Sequence, residues 1–221
     1  MSNDNRPPGR IKWVLCAGCV LLVLTLLLAF LLAGTQSRSA LAKPLPVLGS
    51  VARFSLTNQN GLTVSLDDLR GRVWVADIIF TRCAGPCPRM TKQMKELQDA
   101  LPPKSRAKLV TLTTDADFDT PRVLKAYAER YGADTNRWMF LTGDKREVAK
   151  LAIDSLKLTA LEKKPEERTS PEDLFVHSTI FVVVDQQGQL RGVFETTGED
   201  IDPRQVKARI LATLQQLEHE R

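Results

Sequence analysis

Histidine is nearly missing from this chain: 221 residues hold two, His177 and His219. Cysteine is scarce as well. Of four, Cys16 and Cys19 lie inside an apolar run, which leaves Cys83 and Cys87 as the pair in the polar remainder. One pair is too few for a disulfide framework, and an iron–sulfur cluster would usually want four cysteines. A structural zinc site would want a fourth protein ligand, and none is evident. A second long apolar run is missing, so everything after the first reads as one soluble region. No internal repeat is present. Nor is there a basic excess outside the N-terminus: residues 1–43 hold five Lys or Arg and one Asp, and the rest holds 26 basic and 25 acidic residues. That balance argues against a nucleic-acid surface.

What the N-terminus does contain is an uninterrupted apolar stretch from Trp13 to about Ala33, preceded by Arg6, Arg10 and Lys12. At about 1.5 Å per residue it spans roughly 30 Å, enough to cross a bilayer. Ala33-Gly34 and the Ser-Arg-Ser-Ala after it offer a cut site for a signal peptidase, but the length favours an uncleaved anchor. The basic residues before the span place the N-terminus in the cytoplasm and the rest outside. The expected organisation is a tail (1–12), a single transmembrane anchor (13–34), a Pro-containing tether (35–53) and one domain (54–221). Cys16 and Cys19 read as small apolar residues of the anchor.

Within the domain, Phe54–Thr57, a turn at Asn60-Gly61 and Leu62–Val64 predict a hairpin. Val73–Phe80, apolar except for Asp77, predicts a central strand. After Pro88, the residues Met90, Met94, Leu97 and Leu101 share a helical face. Lys108–Thr113 and Arg137–Leu141 predict strands. Helices are predicted from Thr120-Pro121 to Gly132, over 145–156, and after Asp202-Pro203. Residues from about 159 to 173 predict a charged loop, and Ser178–Val184 with Gln189–Phe194 a terminal hairpin. The class is α/β: alternating βα units between hairpins fit a three-layer, thioredoxin-like sheet.

The chemistry concentrates at Cys83-Ala-Gly-Pro-Cys87-Pro88. Strand, cysteine pair, helix is an order that puts two sulfurs at a helix N-terminus, where the dipole favours thiolate and the thiol pKa is expected to fall. Four residues apart, they are expected on one face of the first helical turn, within disulfide range. Such a pair can exchange disulfides or hold a soft metal. For a metal, His177 is the candidate third ligand, and two thiolates with an imidazole suit copper; His219 reads as a solvated tail residue. Asp77, six residues before Cys83, is a candidate proton acceptor for disulfide exchange. Met90 and Met94 read as core rather than ligands.

Phe80-Thr-Arg-Cys83-Ala-Gly-Pro-Cys87-Pro88, then Thr113-Thr-Asp115-Ala-Asp117-Phe-Asp119-Thr120-Pro121, then His177-Ser-Thr together resemble the SCO/SenC proteins, which are membrane-anchored and thioredoxin-like. The resemblance implies copper bound by Cys83, Cys87 and His177. It also implies delivery of copper to, or reduction of the thiols of, the CuA site in subunit II of cytochrome c oxidase, on the periplasmic face of the inner membrane. Other periplasmic copper or thiol–disulfide proteins are further expected partners. Two positions depart from the family: Asp77 matches a thioredoxin habit, and Val176 stands where many SCO proteins place an acidic residue. Alongside the metallochaperone stands a second reading, a membrane-anchored thiol–disulfide oxidoreductase, in which His177 is dispensable and Asp77 matters. A peroxide-reducing thioredoxin-like enzyme is a third, weaker one.

Overall fold

A computed structural model describes residues 18, 20–29, 44–170 and 174–220, with the backbone alone for residues 160 and 177. They fall into two units, divided between Pro44 and Leu45. In the first, residues 18 and 20–29 are helical. The rest of the expected 13–34 anchor, with Cys16 and Cys19, lies outside the described residues. Among the described residues no helix is long and apolar enough to cross a membrane.

The second unit is built on an eight-stranded sheet in the order β1-β10-β9-β4-β5-β6-β2-β3. Its strands are β1 (Gly49–Ser50), β2 (Ser55–Asn58), β3 (Thr63–Ser65), β4 (Trp74–Ile79), β5 (Lys108–Thr113), β6 (Trp138–Thr142), β9 (Ile180–Val184) and β10 (Gln189–Glu195). A separate two-stranded sheet pairs β7 (Ala160–Glu162) with β8 (Phe175–His177). Helices are α1 (Leu66–Leu69), α2 (Cys87–Ala100), α3 (Pro121–Arg130), α4 (Lys145–Ala149) and α5 (Pro203–His219). Strands β4, β5 and β6 run parallel, and β9 returns antiparallel to β4.

Alternation along β4 sorts the core into two layers. Val75 and Ile79 pack with Met90, Met94 and Leu97 of α2, Leu124 and Tyr127 of α3, and Ile210 and Leu214 of α5. Trp74, Ala76 and Ile78 pack on the other face with Leu66, Leu69, Val148 and Leu151. The sheet is therefore covered on both sides, as the apolar run 73–80 requires. Local chemistry starts the helices where the sequence places them. Thr120 caps α3, accepting from Val123 N–H at 3.4 Å, and Asp202 caps α5, accepting from Arg204 N–H at 2.9 Å. The hairpin β2–β3 turns through Gly61 at φ +77°, a conformation that costs glycine little.

Three expectations need correction. The helix expected over 145–156 changes to a π-helix over Lys150–Ser155. The stretch expected as a loop from about 159 to 173 contains β7 and a 3-10 turn at Pro165–Glu167, closed by Arg168 Nε on the Lys163 carbonyl at 3.1 Å. Its charges hide a short hairpin, because Leu161 pairs across to Val176 on the distant β8. Finally, the strand expected from Ser178 begins at Ile180, and His177 ends β8 of the small sheet.

Candidate metal and thiol centre

Loops at the carboxyl ends of parallel strands gather functional groups in sheets of this kind. Here β4 runs out at Ile79, and the next residues turn back, with Cys83 N–H bonded to the Phe80 carbonyl at 3.2 Å. Cys87 is the first residue of α2, with Pro86 as its N-cap, and Cys83 lies in the preceding loop. The two cysteines therefore do not share a helical turn as their spacing suggested: Gly85-Pro86 delays the helix to the second one. No disulfide joins them. Cys83 is half-buried, whereas Cys87 is buried at 1 % exposure among the α2 and α3 core.

That difference reverses the expected acidity at Cys87. Burial pushes its thiol well above the usual range; a hydrogen bond and charge from Cys83 push the same way, as does the charge of Asp77 more weakly. A hydrogen bond from the Phe80 backbone opposes them and loses. Desolvation of a buried anion costs several kcal/mol, against about 1 kcal/mol from a helix terminus. Cys87 is held as a neutral thiol, and Cys83 is the accessible sulfur.

Asp77 is fully buried in β4, facing the α2 layer, and accepts from Thr111 Oγ1 at 2.6 Å. Thr111 in turn accepts from Trp138 Nε1 at 2.9 Å. Met90 and Met94 are both fully buried on the core face of α2, as expected of packing residues. His219 is exposed at the end of α5. Among the described residues no group of three or more His, Cys, Asp or Glu comes together as a metal site; the His177 side chain lies outside them. The backbone of β8 does bring Phe175 onto Phe80, ring centroids 5.1 Å apart, at the root of the cysteine loop. A groove of about 420 Å³ there is lined by Cys83, Gly85, Pro86, Phe80, Phe175 and Val176. Val176, 47 % exposed, stands opposite exposed Leu161.

The sequence alone assigns no task to the run Asp115–Thr120. The structure gives it one: it holds the cysteine loop. Asp119, fully buried, accepts from Thr81 N–H at 3.0 Å and from the hydroxyls of Thr81 and Thr113. Asp115 is clasped by Arg82, through Nε at 3.2 Å and through Nη2, and Arg82 lies over the Phe118 ring at 4.0 Å. Burial pushes the Asp119 carboxyl upward, against the hydrogen bonds that favour its charge. Three aspartates in five residues after a buried strand were the available signal; the partner of Asp115 and Asp119, the Thr81-Arg82 turn, is over thirty positions away and invisible to spacing.

The family profile described as SCO1/SenC matches residues 47–215. A SCO1 protein homolog of Bacillus subtilis is 36% identical over 162 residues, covering 71% of this chain and 81% of its own. The solved structure of BsSco is similar at TM-score 0.66 and 28% identity, covering 81% of this chain and 100% of its own. It is described as showing a disulfide switch in a member of the Sco family of cytochrome c oxidase assembly proteins. ScoI of Bradyrhizobium japonicum, solved with copper bound, shares the fold at TM-score 0.61 and 22% identity, over 76% of this chain and 99% of its own.

Proposed function

The chain belongs to the SCO1/SenC family, and from that premise we propose that it is a copper metallochaperone serving cytochrome c oxidase assembly. Its cargo is copper, held by Cys83, Cys87 and His177 and passed to the CuA site of subunit II. The anchor at 13–34 keeps the domain at the periplasmic face of the inner membrane. The observation that carries this reading is the pair of cysteine sulfurs at the carboxyl edge of the sheet, one reachable and one buried. Two thiolates and an imidazole are a soft donor set suited to Cu(I). Because Cys87 is held neutral, binding releases its proton, and metal affinity rises with pH. The buried floor at Cys87 and the open side at Cys83 suit a cargo that must leave by ligand exchange.

Titration of the reduced full-length chain with Cu(I) against a competing chelator tests it. One copper per chain is expected, lost on Cys83→Ser, Cys87→Ser and His177→Ala. Wild-type affinity in His177→Ala would overturn the three-ligand set.

A second reading, thiol–disulfide exchange, is favoured by the Trp138–Thr111–Asp77 chain ending beside Cys87. Cys83 attacks a partner disulfide, Cys87 resolves the mixed disulfide, and Asp77 accepts the Cys87 proton. Asp77→Asn then slows resolution while leaving copper stoichiometry at one. The two readings share one switch, since only the reduced dithiol binds metal.

A further inference from the structure

Beside the cysteine loop, on its α3 side, opens a second groove of about 530 Å³. Arg122, Ala126 and Arg130 form one wall; they stand four residues apart on α3, share a face, and are all exposed. Ala126 ends at its Cβ, so the two guanidinium groups flank an open notch. Phe118, 43 % exposed, and Arg82 also line the groove, stacked at 4.0 Å. No residue lining this groove is acidic. Of the carboxylates near these residues in the chain, Asp115 is engaged by Arg82, Asp117 by Lys145 at 2.6 Å and Asp119 by Thr81, and Glu129 does not line the groove. Neither Arg122 nor Arg130 has an ion-pair partner among the described residues.

This concentration of positive charge is local, because the region after residue 43 is nearly balanced in charge. It also abuts the chemistry: Arg82 immediately precedes Cys83, the accessible sulfur. An arginine pair beside an aromatic, in a groove that includes the residue next to the reacting sulfur, is a surface that draws in and orients an acidic chain. We propose that the Arg82–Phe118–Arg122–Arg130 groove is the docking surface for an acidic segment of the protein that exchanges copper or thiols at Cys83. The proposal rests on the reading that Cys83 and Cys87 serve a protein partner, and it names the chemistry of that partner's contact.

The test needs no copper. A cysteine peptide rich in Asp and Glu, and its Asn/Gln counterpart, are each prepared as the mixed disulfide with 2-nitro-5-thiobenzoate. The Cys83 thiolate of the reduced full-length chain attacks the peptide sulfur, forming a Cys83–peptide disulfide and expelling the coloured thiolate with the bonding pair. Cys87 then gives its proton to Asp77, which passes it on to solvent, and attacks Cys83, releasing the peptide thiolate, so the protein dithiol is oxidised by two electrons as the disulfide is reduced. At low salt the acidic peptide is expected to react on the order of tenfold faster, and the advantage should collapse by about 0.3 M salt. Arg122→Glu with Arg130→Glu should abolish it while leaving the neutral peptide's rate unchanged, which controls for folding. Charge reversal at Lys104 and Arg106, beside the start of β4, should leave it intact. Equal rates for the two peptides, or an advantage that survives in the Arg122/Arg130 variant, would overturn the docking surface. Failure of the wild-type chain to bind copper would instead sink the metallochaperone reading and leave this result standing.

Discussion

Two influences compete at Cys87, and burial wins. A sulfur at the first position of a helix feels the dipole, worth about 1 kcal/mol, but a thiolate there would lie in the α2–α3 core. With its thiol pushed up, Cys87 stays protonated through neutral pH, so alkylation should fall on Cys83. Peptide mapping after brief iodoacetamide treatment at pH 7–8 checks this; prior modification of Cys87 would refute it. Asp119 is the other residue whose environment decides its behaviour. Asp119→Ala strands the Thr81 N–H and two hydroxyls, and is expected to cost about 1–3 kcal/mol. Burial raises its pKa in the folded state. Its contribution is therefore full below the ordinary carboxylate range and lost as pH rises through the folded pKa. Asp119→Asn should flatten that dependence in urea melts run from pH 4 to 7.

Among the elements, α2 shows how a motif and a core stripe coexist. Its first residue belongs to the cysteine site, while Met90, Met94 and Leu97 fill the layer beneath. Met94→Ala should lower stability by about 2–5 kcal/mol in chemical unfolding, with copper stoichiometry of the folded protein unchanged; loss of metal at intact stability would make Met94 a ligand instead. The periodic elements were legible from sequence because their faces are set by one dominant layer. The β7–β8 hairpin was not, since its pairing joins Ala160 to His177 across a charged insertion. Short strands whose partners lie far along the chain leave no local period to read.

Across the whole second unit, the end of the sheet opposite the cysteines is tied by one buried cation. Arg191 on β10 reaches Asp185 at 2.8 Å, Glu220 at 2.8 Å, and the carbonyls of Leu45 and Pro46. It thus joins the first residues of this unit, the β9–β10 turn and the end of α5. Asp185 is as buried as its partner, so Arg191→Leu leaves an uncompensated charge and should cost about 3–5 kcal/mol. Because β9 runs antiparallel to β4, this knot stands at the start of β4 and Cys83 beyond its end. Cu(I) affinity of the folded variant should match wild type, measured below its unfolding transition.

The order strand, Cys83, Cys87, helix, the two-layer alternation of β4 and the helix caps were all written in the sequence by itself, because each depends on neighbours within a few residues. Family membership was legible the same way, from three motifs in order. Tertiary structure alone decided which sulfur is exposed, that the helix dipole loses to desolvation at Cys87, and that Asp115 and Asp119 grip the loop before Cys83. It also set Arg82, Arg122 and Arg130 around one groove. Those outcomes depend on burial and on contacts between strands β4 and β5 and helix α3, and neither quantity exists until the sheet has closed.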